Sequence, residues 1–304
     1  MHQLVVILGT NASGKSDLGV RLANQFGGEV VSADSRQVYR GLDLGTGKIT
    51  PAQAGMVKHH LIDVAEVSEY YTLAQYQRAA YNAIDSIAQA GKLPFLVGGT
   101  GLYISAIVEG YQLVDVPSND PLRAELERLP LAQLVERLEK SDPEAARRVD
   151  KSNPRRLVRA IEIAVAGLAH AAAHKSSPRY NCLQLGLTWP LDILEERIKK
   201  RLSERLAQGM IAEVAGLRAR GVSDTRLDKL GLEYRYITRY LRGELGTLDD
   251  LRLQLGIAIR QFAKGQLTWF KRDRRIIWLD RFGDCFQEAC NRIREWMGEL
   301  PSAP

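Results

Sequence analysis

Eight residues near the start of the chain, Gly9-Thr10-Asn11-Ala12-Ser13-Gly14-Lys15-Ser16, carry the spacing G-x-x-x-x-G-K-[ST] without a gap. In such a loop the glycines let backbone amides converge on phosphate oxygens, and a helix starting at its end adds positive partial charge. Lys15 supplies a point charge, and the Ser16 hydroxyl is placed to hold Mg²⁺. The motif names a phosphate binder and not a reaction: kinase, NTPase and diphosphate-transfer chemistry all remain open.

A second group is Asp34-Ser35-Arg36-Gln37, which follows an apolar run at Glu29–Ser32. Ligands of doubly wound sheets gather at the C-terminal ends of strands, so Asp34 is expected to face the same crevice as the phosphate loop. A carboxylate there can take a proton from an incoming nucleophile, Ser35 and Gln37 can hydrogen-bond a base edge, and Arg36 can meet a phosphate. Asp34 is equally well placed to be a helix cap.

The elements that must position these groups are legible as periodicity. Leu4–Leu8, Glu29–Ser32, His60–Val64 and Leu93–Val97 read as strands alternating with helical sequence, which argues for a parallel sheet covered by helices on both faces. From Asp115 to about residue 180 the texture is helical and charged, punctuated by Pro117, Pro121, Pro130, Pro143 and Pro154, with no convincing strand. Residues 115–180 are therefore expected to be a helical insertion between two parts of a core, 1–114 and 181–304, with residues 166–181 a loose connection. Leu183–Leu187 and Ile276–Leu279 resume the strand pattern, and long helices are expected over about 191–220 and 249–270. In the last of these Leu251, Leu255, Ile259 and Phe262 form an apolar stripe and Arg260, Lys264 and Lys271 a basic face.

With these positions in view, the chain resembles the tRNA dimethylallyltransferases of bacteria. The resemblance is carried by Asp34–Tyr39, Gly45-Thr46-Gly47-Lys48, Val97-Gly98-Gly99-Thr100-Gly101-Leu102-Tyr103, Asn153–Ala160 and Gln266-Leu267-Thr268-Trp269-Phe270, and it covers nearly the whole chain. It implies a P-loop NTPase-like α/β fold with a helical insertion. It also implies an allylic diphosphate, dimethylallyl diphosphate, in the Gly9–Ser16 loop, held by Lys15 and by Ser16 through Mg²⁺. Asp34 would be the general base for the exocyclic amine of an adenine. Thr100 would bridge amine and diphosphate, and an arginine of the 197–205 region would contact the diphosphate.

Arg197, Arg201 and Arg205 recur every four residues and share one helix face; Arg201 is the expected catalytic arginine, Arg197 the alternate, and Arg205 is set aside. The tRNA-contacting set implied by the resemblance is Asp34, Ser35, Arg36, Gln37, Thr100, Arg123, Arg155, Arg156, Leu157, Val158 and Arg159. Trp269 and Phe270 are in position to stack on a base, but aromatics at a helix end are more often core. The chain departs from the family pattern at Thr10-Asn11, where Pro-Thr is usual, at Gly265, where a basic residue is common, and in a shorter insertion.

Bulk properties agree. The 304 residues are 45% hydrophobic and 26% charged with a formal net charge of +6, which suits a polyanionic partner such as a tRNA anticodon stem-loop. No apolar run is long enough to span a membrane, and Cys182, Cys285 and Cys290 are too few for a disulfide framework, so a cytoplasmic monomer is expected. His170 and His174 share a helical spacing but have no acidic third ligand, and Cys285 and Cys290 lack zinc spacing. Two other readings stay open: a small-molecule kinase binding ATP at Lys15, and a non-catalytic RNA-binding protein that uses the loop as a switch. A related enzyme would prenylate free adenine nucleotides.

Overall fold

The structure is a computed structural model and describes residues 1–113, 116, 119–168, 174–175 and 177–299. The unbroken apolar run of β1 (His2–Gly9) has a simple cause: the strand pairs in parallel on both sides and is covered on both faces. Leu4, Val6 and Leu8 enter one hydrophobic core while Val5 and Ile7 enter another, as side chains alternate along a strand.

The phosphate loop leads into α1 (Lys15–Gln25), followed by β2 (Glu29–Ala33), α2 (Pro51–Ala54), β3 (His59–His60), α3 (Leu73–Gln89), β4 (Pro94–Gly98), α4 (Gly101–Val108) and β5 (Tyr111–Gln112). Helices α5 (Asp120–Leu126), α6 (Leu131–Ser141), α7 (Pro143–Arg148) and α8 (Pro154–Val165) come next, then β6 (His174–Lys175) and β7 (Tyr180–Leu187). The chain ends with α9 (Leu191–Ala207), α10 (Met210–Ala219), α11 (Asp224–Leu230), α12 (Leu232–Leu241), α13 (Leu248–Phe270), β8 (Ile277–Trp278) and α14 (Cys285–Met297).

Six strands form one parallel sheet in the order β3-β2-β4-β1-β7-β8. Helices α3 and α4 pack on the face of Leu4, Val6 and Leu8; α1 and α14 pack on the other. A third core, built mainly by α9 to α13, closes over the C-terminal ends of the strands and encloses Val38, Tyr39 and Leu42. Helices α5 to α8 have a small core of their own, centred on Leu126, Leu134, Leu138, Leu157 and Ile161.

Four expectations from sequence are corrected. The strand expected at His60–Val64 stops at His60, because Leu61 and Asp63 turn to φ 62° and 57°, outside extended geometry. The helix expected over 191–220 is two helices, divided at Gly209 with φ 103°. The apolar stripe of α13 continues from Ile259 through Ala263, Gln266 and Phe270, so Phe262 is half exposed rather than part of it. Finally, the 115–180 region contains a strand: β6 pairs antiparallel with β5 and makes a two-stranded neck. Two-residue strands leave no periodicity to detect. His170 and part of the expected connection lie outside the described residues.

Candidate active site

Strand register brings the motifs together. Leu8 of β1 and Ala33 of β2 both lie level with Gly98 of the intervening β4, so the loops starting at Gly9, Asp34 and Gly99 emerge side by side. Gly98 permits this proximity, since a β-carbon there would fall 2.1 Å from the Ala33 carbonyl oxygen. The Thr100 amide donates to the same carbonyl at 3.1 Å, and the Thr100 hydroxyl accepts from the Ser35 amide at 3.0 Å. Thr100 is thereby fixed against the Asp34 turn.

Asp34 caps no helix. Its Oδ1 accepts from the amides of Arg36 (2.8 Å) and Gln37 (3.4 Å), closing a tight turn, and Oδ2 accepts no hydrogen bond from the described residues. Gln37 is held between the Ser32 hydroxyl and the Gly47 carbonyl, each at 3.3 Å. Arg36 keeps its side chain partly exposed.

The phosphate loop turns tightly, with Ala12 at φ 59° and Gly14 at φ 92° at the N-cap of α1. Thr10 and Ser13 are fully buried, and their hydroxyl oxygens have no hydrogen-bond partner. Lys15 donates to the Thr10 carbonyl at 3.2 Å. Burial pushes its ammonium down to about 8; Arg201 lowers it further and Asp34 opposes the fall. Ser16, one residue into the helix, is exposed.

All three arginines of α9 meet this region. Arg197 donates Nε to the Ala12 carbonyl at 2.8 Å. Burial lowers the Arg201 guanidinium to about 10, with Arg205 adding to the shift and Glu233 and Asp34 opposing it. Arg205, set aside as a diphosphate contact, reaches the same region: its Nη2 lies 1.4 Å from where a β-carbon of Gly47 would be, so its guanidinium rests directly on the Gly47 backbone. Arg201, Arg205 and Glu233 line a pocket beside Ala12 with apolar walls from Ile198, Leu202, Met210 and Ile259. The Glu233 carboxyl is raised by its burial and held down by the two arginines.

The family described as IPP transferase matches residues 37–273 of the chain. This chain is a member of the IPP transferase family. It is 44% identical over 296 residues to tRNA dimethylallyltransferase 2 of Shewanella sediminis, covering 96% of this chain and 98% of that one. It is 45% identical over 293 residues to tRNA dimethylallyltransferase 1 of Geotalea daltonii, covering 95% and 94%. Among solved structures, the tRNA isopentenylpyrophosphate transferase of Bacillus halodurans superposes with a TM-score of 0.74 at 36% identity, covering 98% of each chain.

In this IPP transferase the basic residues of the helical unit divide into two sorts. Arg155 and Arg156 are exposed at the start of α8, where Asn153 caps the helix and Pro154 occupies its first position. Arg123 and Arg159 instead converge on Glu162, whose side chain is fully buried. Arg123 makes a two-pronged contact with it, at 3.1 and 2.7 Å, and Arg159 also donates to the Val116 carbonyl at 3.0 Å. Leu157 and Val158, expected among the tRNA contacts, have their side chains buried in the core of the unit, because they occupy the apolar stripe of α8. Arg260, expected on a free basic face of α13, is paired with Glu195 at 2.8 Å.

Phe270 is core, and Trp269 packs against Gly101, where a β-carbon would sit 2.4 Å from its ring. Sequence reasoning missed Gln266 and Glu233. Gln266 accepts from the Asn11 amide at 2.8 Å and donates to the Gly99 carbonyl at 2.9 Å, joining the two glycine loops. The signal was available: a glutamine on the buried stripe of an amphipathic helix needs partners. No comparable signal marks Glu233.

Proposed function

We propose that this chain transfers the dimethylallyl group of dimethylallyl diphosphate to the exocyclic amine of the adenosine 3′-adjacent to the anticodon in tRNA, releasing diphosphate. The observation that carries the reading is the register that sets the phosphate loop, Asp34 and Thr100 side by side at three adjacent strand ends. A base-activating carboxylate and a diphosphate cradle then face one reaction centre. Family membership supports the same chemistry.

In the reaction the amine nitrogen bonds to the allylic carbon as its bond to the diphosphate oxygen breaks, and the electron pair leaves with the diphosphate. Lys15, Arg197 and Arg201 neutralise that growing charge. The proton released by the amine goes to Asp34 Oδ2, while Oδ1 stays anchored by the turn amides. Thr100 sits between the two substrates. Because the target base is stacked in its stem-loop, it must be extruded to reach Asp34.

The donors present fit a hard divalent ion. Ser16 offers a hydroxyl at the start of α1, and no cluster of three His, Cys, Asp or Glu residues occurs among the described residues. Ser16 would hold such an ion, Mg²⁺ in this proposal, and the ion would supply further charge neutralisation on the leaving group.

Arg155 and Arg156 are the proposed phosphate-backbone contacts, with Arg36, Ser35 and Gln37 nearer the base; Arg123 and Arg159 order the helical unit that carries them. The working unit is a single copy in the cytoplasm. The three thiols are free, and no helix among the described residues is long and apolar enough to cross a membrane.

The test is incubation with dimethylallyl diphosphate, Mg²⁺ and unmodified tRNA, followed by nucleoside mass spectrometry. An adenosine heavier by one dimethylallyl unit is expected. Tight ATP binding with no effect of the allylic diphosphate would favour a kinase instead. Equal use of AMP and an anticodon stem-loop would favour a free-nucleotide enzyme, and tRNA binding without product a non-catalytic binder.

A further inference from the structure

Two arginines from distant parts of the chain share one indole. Arg281, on the segment between β8 and α14, and Arg197 of α9 lie 4.6 and 5.1 Å from the ring centre of Trp189. Like charges so placed repel: the Arg197 guanidinium is lowered by its burial and then by Arg281. Stacking explains how the ring tolerates each cation, but not why two are gathered.

No carboxylate relieves them among the described residues, although three are close in sequence. Asp280 accepts from the Phe282 amide, Asp284 caps α14 by accepting from the Gln287 amide, and Glu288 accepts from the Asp280 amide. Arg281 gives one bond to the soft Cys285 sulfur at 3.1 Å, while its Nε is buried with no acceptor. The pair is short of a hard anion.

Its position says which one. A β-carbon at Gly14 would lie 3.3 Å from Arg281 Nη2 and 3.9 Å from Arg197 Nη2. Gly14 is the last residue of the phosphate loop before α1, and it carries no side chain to keep the guanidiniums away. We propose that Arg281 and Arg197 form a clamp on the outer phosphoryl group of the diphosphate, with Trp189 as the platform that holds both forks in place. As the carbon–oxygen bond breaks, the electron pair passes to the diphosphate, and the added negative charge falls beside two cations that otherwise repel each other. Arg281 is thus a substrate-contacting residue.

This inference rests on the diphosphate-transferase reading, and the test separates the two. Inorganic diphosphate with Mg²⁺ is titrated calorimetrically into the full chain and into Arg281→Ala and Arg281→Lys. Loss of one charge-assisted contact is expected to weaken binding about tenfold in Arg281→Ala. The lysine variant keeps the charge but not the fork, so it is expected to recover only part of the affinity, and it decides the matter should the alanine variant not fold. The KM for tRNA is expected to stay within about twofold, which a general loss of structure would not allow. Diphosphate binding by Arg281→Ala or Arg281→Lys equal to that of the wild type overturns the clamp alone. A wild-type chain that binds no diphosphate overturns the transferase reading, and the clamp with it.

Discussion

Gln266 accepts a hydrogen bond from the backbone of Asn11 at 2.8 Å across 255 residues of sequence, and its other amide atom reaches Gly99. One buried side chain on α13 thus sets the spacing between the loop that grips the leaving group and the loop that presents Thr100. Gln266→Ala should lose about 2 kcal/mol of stability by leaving two buried backbone groups unpaired. It should also lower kcat more than it raises either KM, since misplacement of the reacting groups is felt in the transition state. Thermal melts and steady-state kinetics check both; Gln266→Glu, which keeps the acceptor but cannot donate to Gly99, should recover little.

Asp34→Asn keeps the turn, because an amide oxygen can still accept from Arg36 and Gln37, yet it removes the base. A rate loss of about 100-fold or more is expected, the usual contribution of a positioned base. Diphosphate affinity should change little. Mass spectrometry of the modified nucleoside and calorimetry measure the two sides.

Lys15 has a pH signature. Its pKa falls from an ordinary 10.5 to about 8, chiefly by burial, so the free enzyme should lose affinity for the allylic diphosphate as pH rises through about 8. Lys15→Arg stays charged, and its affinity should be flatter over that range. The stability effect runs the other way: between about 8 and 10.5 the unfolded chain holds the proton that the folded chain has released. This group therefore makes the ligand-free fold more stable as pH rises across that window. Chemical denaturation at several pH values, with Lys15→Met as reference, isolates it.

The helical unit depends on Glu162. Glu162→Gln leaves Arg123 and Arg159 without their shared charge, and breaking such a buried pair typically costs about 3 kcal/mol. Amide exchange in α5 and α8 should quicken, tRNA affinity should drop, and diphosphate binding should persist.

Arg155→Ala and Arg156→Ala should each raise the KM for tRNA several-fold and reduce the slope of log affinity against log salt by about one. Diphosphate affinity is the control. A change confined to one tRNA sequence would mean base contacts rather than backbone contacts.

Those two arginines were readable in the sequence because a helix start, Asn153-Pro154, fixes which way the next turn faces. The phosphate loop was readable for a similar reason: its chemistry is local, written in eight consecutive residues between a strand and a helix. Asp34 was found as a residue, but its status as a turn rather than a cap depends on amides that only the folded chain arranges. The positions of Glu233, Arg281 and Arg205 were out of reach. Each acquires meaning from a neighbour far along the chain, such as Gly47 beneath Arg205, and no period or spacing encodes that meeting. The inward turn of Leu157 was legible from the helical period, whereas the burial of Val158 beside it was not.

The β5–β6 neck has one further implication. β5 begins three residues after the end of α4, and Thr100 stands at the other end of that eight-residue helix. Any torque delivered to the helical unit by a docking macromolecule therefore has a short, stiff connecting rod to the reaction loop. A core with Tyr111 linked directly to Lys175 would lose the helical unit that pulls on that rod while keeping all six strands of the main sheet.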